Sequence, residues 1–323
     1  MQAPEFWDKK ESRLAKILAP ISAIYAWIVA CRLEKSHPYQ AKMPVICVGN
    51  ISVGGTGKTP VCLALAKLLK EKGRSPWFLN HGYRASEKSV IVDTKSHSAL
   101  DVGDEALLLA EYAPTIVDSA RARGAQIAEK KDVSLLIMDD GFQNPTLVKT
   151  LSFVVVDGKK GFGNERVLPA GPLREPVLKG LKRADALILV GEDVWGVRKY
   201  LEKNKVDLPI LTGHFIPVEQ DLEKLKGHSV SAFAGLGNPK KFFDMLVQKG
   251  IQLVSMHSFP DHYFYTRFDI EDLKKKTKNS LLATTSKDWV KIPMEMRNGL
   301  VQVRGNFEFD SLEDVWQLIK EIL

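Results

Sequence analysis

A glycine-rich segment that ends in lysine and threonine is the part of this chain most able to do chemistry. Residues 53–60 read Val-Gly-Gly-Thr-Gly-Lys-Thr-Pro and follow an apolar run. Glycines allow backbone N–H groups to surround a polyphosphate, Lys58 can reach its outer phosphates, and the Thr59 hydroxyl can meet Mg²⁺. The segment therefore predicts an ATP-type phosphate-binding loop, formed by Val53, Gly54, Gly55, Thr56, Gly57, Lys58, Thr59 and Pro60.

The segment departs from the strict phosphate-loop pattern at its first position, where Ser52 stands in place of glycine. Its surroundings favour the same interpretation, because residues 45–48 indicate a buried strand and Pro60 suits a first helical turn. The alternative is a strand–helix turn without a ligand. That alternative leaves the Gly-Lys-Thr triplet at the helix start unexplained.

Two adjacent aspartates are the expected partners of such a loop. Asp139 and Asp140 end an apolar run, and Asp139 lies 80 residues after Thr59. A strand that ends in aspartate can hold Mg²⁺ beside a bound nucleotide, directly or through water. Adjacent side chains on an extended chain point in opposite directions, so we expect one carboxylate to face the metal and the other a different partner. Thr59, Asp139 and Asp140 are the candidate Mg²⁺ ligands.

Two further residues could act on an acceptor. Asp104 follows Gly103 at the start of a helical pattern, where it suits either a helix cap or a general base. Composition alone favours the cap. His262 follows Asp261 in a polar and aromatic loop, and a lone histidine there is structural or solvated as readily as functional. The residues by themselves leave both roles open.

A proline-rich segment offers two more charged candidates. Residues 168–176 read Leu-Pro-Ala-Gly-Pro-Leu-Arg-Glu-Pro, which is too rich in proline for regular structure. Arg174 and Glu175 on such a stiff loop could bind an anionic or hydroxylated ligand. A plain crossover loop accounts for the segment equally well.

The elements that must position these residues alternate between strand and helix patterns. Such alternation predicts an α/β fold with a mainly parallel sheet covered by helices on both faces. The strand candidates are 45–49, 76–79, 90–92, 115–117, 134–138, 152–156 and 186–190, and the helix candidates are 58–72, 104–112, 120–131 and 193–203.

A second unit is predicted after a boundary near 213–228, where Gly213, Pro217 and a charged stretch interrupt the pattern. It begins with a strand at 229–234 and a turn that Asn238 and Pro239 convert into a helix. Lys240 occupies the sixth position of the glycine pattern, so a dinucleotide-binding turn is not indicated. Residues 281–285 and 300–309 indicate extended segments, and 312–323 a closing helix.

We expect three segments in the 323 residues: 1–40, an N-terminal membrane-interface helix and lead-in; 41–215, a P-loop kinase core; and 216–323, a smaller C-terminal α/β domain with linker strands and a closing helix. Lysine and arginine exceed aspartate and glutamate by 46 − 39 = 7, an excess compatible with anionic ligands or an anionic membrane. No motif for nucleic-acid binding is visible. The three cysteines indicate neither a disulfide framework nor a zinc site, which fits a reducing cytosol.

The N-terminal segment has two interpretations. Residues 17–31 are almost uncharged, lie between Lys16 and Arg32, and are too short for an ordinary membrane span. Apolar residues recur at helical spacing, with Trp7, Tyr25 and Trp27 nearby and basic residues on both sides. That composition suits a helix lying in a membrane interface. It suits a core-packing helix with solvated ends equally well. Glu5, Asp8 and Glu11 argue against a signal peptide.

Taken together, these motifs resemble the tetraacyldisaccharide 4′-kinase family of Gram-negative bacteria, and the likeness covers nearly the whole chain. The matching segments are 18–25, 44–50, 53–60, 102–105, 138–143, 163–164, 168–176, 233–239, 259–262 and 284–288. Two positions depart from the pattern of many relatives: His81 replaces an arginine, and Asn144 replaces a histidine.

The resemblance implies transfer of the ATP γ-phosphate to the 4′-hydroxyl of a tetraacylated disaccharide 1-phosphate, giving lipid IVA. It implies a smaller C-terminal domain joined by a β-ribbon, and attachment to the cytoplasmic face of the inner membrane through the N-terminal helix. It also implies that Asp104 accepts the hydroxyl proton with help from His262, and that Lys58 neutralises the transferring phosphoryl. Arg121, Arg123 and Arg174, with Glu175, become candidates for contacts with the lipid headgroup or nucleotide. No obligate protein partner is implied.

The main alternative is a membrane-associated P-loop switch ATPase that binds ATP and a partner protein. Such proteins typically carry a lysine just before the Gly-Gly of the loop, whereas this chain has Val53. A P-loop ligase or small-metabolite kinase is a further alternative, but it would not need an apolar N-terminal helix with basic flanks.

Overall fold

Thirteen strands and twelve α-helices are assigned in the computed structural model, which describes residues 4–277 and 279–323. The strands are β1 (Val45–Gly49), β2 (Trp77–Asn80), β3 (Val90–Ile91), β4 (Thr115–Val117), β5 (Leu136–Asp139), β6 (Leu151–Asp157), β7 (Ala186–Val190), β8 (Ile210–Pro217), β9 (Ser229–Ala234), β10 (Gln252–Ser258), β11 (Leu281–Thr285), β12 (Leu300–Val303) and β13 (Gly305–Phe309). The helices are α1 (Arg13–Glu34), α2 (Lys58–Glu71), α3 (Ala99–Val102), α4 (Asp104–Ala110), α5 (Arg121–Glu129), α6 (Val177–Leu181), α7 (Val197–Lys203), α8 (Glu219–Glu223), α9 (Pro239–Gln248), α10 (Arg267–Lys276), α11 (Ser286–Trp289) and α12 (Leu312–Lys320). Short 3₁₀ helices cover Glu5–Asp8 and Met294–Met296.

The larger sheet has nine strands in the order β13-β8-β7-β6-β1-β5-β2-β4-β3. Its pairs are parallel except at the two edges, where β13 runs against β8 and β3 against β4. Every residue of β1 is buried, as expected for a parallel strand covered on both faces. One face packs on α5, α6 and α7, and the other on α2, α4 and α12. The predicted α/β fold with helices on both faces is confirmed.

The smaller sheet has four parallel strands in the order β10-β9-β11-β12, with a separate apolar cluster on each face. It lies between β8 and β13 in the chain, and those two strands pair antiparallel from Gly213 with Phe309 to Pro217 with Gly305. The second unit is therefore an insertion connected by a two-stranded ribbon, as the resemblance implied.

The predicted third segment, residues 216–323, is shared between the two sheets. Most of it forms the smaller sheet and its helices, whereas β13 joins the larger sheet and α12 packs on that sheet through Val315 and Ile319. The predicted extended segment 300–309 breaks at Arg304, whose guanidinium and backbone N–H both donate to Asp221. The chain passes there from the smaller sheet to the larger one.

The N-terminal helix α1 has 22 residues and is much longer than its uncharged stretch. Ser12 caps its first turn by accepting the N–H of Ala15. Only Ala15 and Ser22 are buried, whereas Ile17 is 72% and Trp27 67% exposed. By length and composition alone it could cross a membrane. The exposure of its apolar residues excludes the core-packing interpretation.

Candidate nucleotide and acceptor site

The phosphate-binding loop connects β1 to α2 at the centre of the larger sheet. Gly57 precedes α2 with φ 93°, a left-handed conformation that favours glycine, and a Cβ there would collide with the ring of Phe215. The side chain of Asn50 donates to the Thr56 hydroxyl at 3.2 Å. The N–H of Val53 donates to the Pro172 carbonyl at 2.7 Å. The loop is thus fixed from both sides, with the N-terminus of a 14-residue helix directed at its centre.

Asp139 lies beside this loop because β5 pairs with β1 in a register that matches Val48 with Asp139. Its Oδ2 accepts from the Thr59 hydroxyl at 2.9 Å and from the Asn80 amide at 3.3 Å. Its Oδ1 is buried with no hydrogen-bond partner. Burial and, to a smaller extent, the negative charge of Glu105 raise the pKa of Asp139 to about 7.

Asp140 contacts two cations. Arg174 donates to both of its oxygens, at 2.7 and 3.1 Å, and Lys58 Nζ lies 3.5 Å away. Burial opposes ionisation, but Lys58 and Arg174 outweigh it and lower the pKa of Asp140 to about 2. The backbone of Asp140 is left-handed, with φ 49°, so the residue does not continue the extended strand β5. The two aspartates have different partners.

Asp104 and His262 come together across the two units. Asp104 begins α4 in the first unit and His262 lies between β10 and α10 in the second, yet His262 Nδ1 is 3.0 Å from Asp104 Oδ2. Tyr83 packs against the imidazole at 5.3 Å between ring centroids. Burial opposes ionisation of Asp104, but the hydrogen bond from His262 and the charge of Lys287 outweigh it, so its pKa lies below the ordinary value. The pair is a carboxylate held in place by an imidazole.

Two residues expected to bind substrate are instead enclosed. The guanidinium of Arg121 is buried and donates to the main-chain carbonyl of Asp139 at 2.8 Å. Glu175 is buried and accepts from Gln143 and Arg183. Neither side chain is available to a headgroup, because each is already bonded inside the protein. Both fix the aspartate-bearing loop and the proline-rich loop instead.

The other two arginines remain accessible. Arg123 forms a two-pronged ion pair with Asp118 at the surface. Arg174, which is partly exposed, joins the proline-rich loop to Asp140, and Lys58 of the phosphate loop contacts the same carboxylate. Of the expected arginines, Arg174 is the best placed to meet a phosphate.

Several site residues were not assigned a role from sequence. Asn80 contacts Asp139, and Gln143 donates to the Asn50 carbonyl at 2.8 Å while accepting from Arg174. Gln143 ends a segment that matches the family, and Asn80 lies in the segment where His81 departs from it. Their place in these segments was the sequence feature that could have identified them. Asn144 caps a local turn through Thr146, and His81 is exposed. Lys287, from the second unit, approaches Asp104 and Glu105.

The pair Thr59 and Asp139 fits a magnesium ion. A buried carboxylate oxygen without a partner, next to a threonine hydroxyl at a helix start, is a donor set for a hard cation. In the described residues there is no cluster of three or more His, Cys, Asp or Glu side chains.

Comparisons with known proteins point to one family. The family model described as Tetraacyldisaccharide-1-P 4'-kinase matches residues 14–323. The tetraacyldisaccharide 4'-kinase of Paramagnetospirillum magneticum is 46% identical over 314 residues, which are 96% of this chain and 95% of that protein. That of Rhodospirillum rubrum is 43% identical over 314 residues, covering 96% and 94%. The crystal structure of the "apo" form of LpxK from Aquifex aeolicus in complex with ATP matches with a TM-score of 0.75 at 31% identity, covering 96% of this chain and 99% of that one.

Proposed function

The chain belongs to the tetraacyldisaccharide-1-P 4'-kinase family, and from this premise we propose that it transfers the γ-phosphate of ATP to the 4′-hydroxyl of a tetraacylated glucosamine disaccharide 1-phosphate, forming lipid IVA. The observation that carries the proposal is the Asp104–His262 pair. Gly103, next to Asp104, approaches Gly82 and Tyr83; the Gly82 N–H donates to Asn80, and the Asn80 amide donates to Asp139 beside the phosphate loop. A base beside a phosphate site is what phosphate transfer to a hydroxyl requires.

Asp104 would accept the proton of the 4′-hydroxyl. The 4′ oxygen forms a bond to the γ-phosphorus, the bond from that phosphorus to the β–γ bridging oxygen breaks, and ADP leaves with the electron pair. A carboxylate suits this task because orienting the nucleophile matters more in phosphoryl transfer than strong basicity. His262 holds Asp104 in one orientation through the 3.0 Å contact at Nδ1.

Lys58 and Arg174 would bind the transferring phosphate. Both now contact Asp140, so an incoming phosphate would share or replace that carboxylate as their counter-charge. Thr59 and Asp139 would hold Mg²⁺, which neutralises phosphate charge when it is bound. Asp140 remains the residue that keeps the two cations in place.

The helix α1 would bind the cytoplasmic face of the inner membrane. Many of its apolar side chains are exposed, and it begins with Arg13 and carries Arg32 in its last turn. Such a helix gains free energy by burying its apolar side in the acyl region while its cations meet anionic headgroups. This placement would bring the lipid acceptor to the site without the acyl chains leaving the bilayer.

The test is an assay of ATP and tetraacyldisaccharide 1-phosphate in detergent micelles, with lipid and inorganic phosphate measured together. The proposal predicts a lipid heavier by one phosphate, formed in step with ADP. ADP and inorganic phosphate without modified lipid would contradict it and favour a switch ATPase. Asp104→Asn keeps the shape of the side chain and is expected to slow transfer at least about 100-fold, the usual range for a lost general base.

A further inference from the structure

Lys287 reaches from the second unit to the candidate base in the first. It lies in α11, and its Nζ is 3.3 Å from Glu105 Oε1 and 4.0 Å from Asp104 Oδ2. The side chain is 25% exposed, so solvent screens the pair only in part. Burial opposes its charge, but Glu105, Asp104 and Asp261 outweigh burial and raise the pKa of Lys287. The residue is therefore a cation held against the N-terminus of α4.

The short helix that carries Lys287 is fixed inside its own unit. Thr285 caps it by accepting the N–H of Asp288. Asp288 is fully buried, forms an ion pair with Lys291 at 2.9 Å, and accepts from the Tyr265 hydroxyl and the Gly235 N–H. These bonds leave little freedom to the backbone at 286–289. The contact of Lys287 with α4 therefore depends on how the second unit packs against the first.

The charged groups around Asp104 come from three elements. His262 approaches from the loop before α10. Lys287 lies in α11 and Lys291 follows that helix, while Glu105 is the neighbour of Asp104 on α4. His262 binds only Oδ2, and Oδ1 accepts the N–H of Glu105. Without Lys287, two adjacent carboxylates at the start of α4 would lose the cation that stands closest to both.

We propose that Lys287 is a positioning residue for phosphate transfer: by pairing with Glu105 and facing Asp104, it holds the candidate base in line with His262. The inference rests on the proposed function, because Lys287 can act in this way only if Asp104 accepts the proton of the hydroxyl. It adds a third member from the second unit to the Asp104–His262 pair. Transfer then depends on the two units meeting with this cation in place.

A second ion pair between the units provides a matched control. Lys241 in α9 lies 2.8 Å from Asp157 at the end of β6, so its ion-pair partner is not Asp104 or Glu105. Lys241→Met removes a contact between the units just as Lys287→Met does. Only Lys287→Met removes a cation from beside Asp104.

The experiment compares wild type, Lys287→Met, Lys287→Arg and Lys241→Met in the lipid kinase assay across pH. The Lys287 ammonium favours the ionised form of Asp104, so its loss raises the pKa of that carboxyl. We expect Lys287→Met to lower kcat about tenfold, a fraction of a general base's contribution. As the pH is lowered, the activity of Lys287→Met should begin to fall at a higher pH than the activity of the wild type. Lys287→Arg keeps the charge and should restore most of kcat.

Three results would overturn the proposal. Lys241→Met could shift the acid side of the pH profile as much as Lys287→Met, which would mean that only contact between the units matters. Lys287→Met could raise KM for the lipid with kcat and pH profile unchanged, which would make Lys287 a substrate contact. If the wild type transfers no phosphate to lipid, the proposed function fails first and this inference fails with it. Thermal unfolding of each variant identifies loss of fold.

Discussion

Asp139 and Asp140 are neighbours in the chain but occupy opposite electrostatic surroundings. Asp139 has a threonine, an amide and one unpartnered oxygen, whereas Asp140 has two cations. Alternation along an extended strand predicted that they would face different partners. It could not say which one faces the metal, because that depends on the register of β5 against β1 and on Arg174, which comes from a distant loop.

The two aspartates should respond oppositely to the same substitution in metal-free protein. The pKa of Asp140 is below its unfolded value, so its charge stabilises the fold above about pH 4 and this contribution is lost as pH falls toward 2. Asp140→Asn should therefore lower the free energy of unfolding by about 2 kcal/mol at pH 7.5. The pKa of Asp139 is above its unfolded value, so ionisation weakens the fold as pH rises toward 7. Asp139→Asn should not destabilise the protein.

Urea unfolding of both variants in the presence of a chelator measures this difference. An equal loss of stability in the two variants would contradict the assignment of separate roles. Adding Mg²⁺ and a nonhydrolysable ATP analogue should stabilise the wild type and do so less for Asp139→Asn, because that variant lacks the carboxylate for the metal.

Substitution of Arg121 distinguishes a role in binding substrate from a role in stabilising the fold. Its guanidinium donates to the Asp139 carbonyl, and removing a buried charge from its partners costs about 3 kcal/mol. Arg121→Gln should lower the free energy of unfolding by about that amount, whereas Lys130→Gln, at the exposed end of the same helix, should change it little. Urea unfolding measures both. A stable Arg121→Gln protein with raised KM for the lipid would instead restore the headgroup role.

At the scale of elements, α1 is the helix whose apolar side has no partner in the described chain. Ser22, the one buried polar residue on it, accepts the Ala170 N–H at 3.0 Å, and the preceding 3₁₀ segment is bonded to the same loop through Trp7 and Pro169. The helix is thus attached to the proline-rich loop at a few points and exposed elsewhere. Deleting it would also remove these bonds, so a single exposed substitution is the cleaner test of membrane binding.

Ile24→Glu should weaken binding to vesicles containing anionic lipid by about tenfold or more, because a charge replaces an apolar side chain that would lie in the acyl region. Phe268→Glu is the control, since Phe268 is equally apolar and 75% exposed but lies on α10 in the second unit. Flotation with vesicles gives the bound fraction. Equal binding by wild type and Ile24→Glu would show that this side of α1 does not enter the bilayer.

The strands β1 to β7 and the helices α2, α4, α5 and α7 were predicted within a few residues, because most of them contain apolar runs that are buried in the larger sheet or against it. The short helices α3 and α6 were not predicted. The strand β10 was missed, since it lies at the edge of the smaller sheet and alternates exposed with half-buried residues. The strand β8 was taken for a domain boundary because Gly213 and Pro217 interrupt its pattern, yet it pairs with β13 far along the chain. Local patterns identify such a segment poorly, because its pairing depends on distant residues.

The whole molecule brings together groups that are remote in sequence. Asp104 and His262 are 158 residues apart, and Lys287 lies a further 25 residues on, but all three meet where the two units touch. Sequence could name Asp104 and His262 through the resemblance and could not derive their contact. The second unit is an insertion on a two-stranded ribbon, so the contacts of His262 and Lys287 with Asp104 depend on how the two units pack together.

Phosphate transfer to one hydroxyl of a lipid can be read from a ³¹P–¹H correlation spectrum of the lipid recovered after incubation with ATP. We expect a new phosphomonoester signal correlated with the proton on the 4′ carbon, absent when Asp104→Asn replaces the wild type. A lipid with only its original 1-phosphate while ATP is consumed, or a new phosphate on any other carbon, would contradict it.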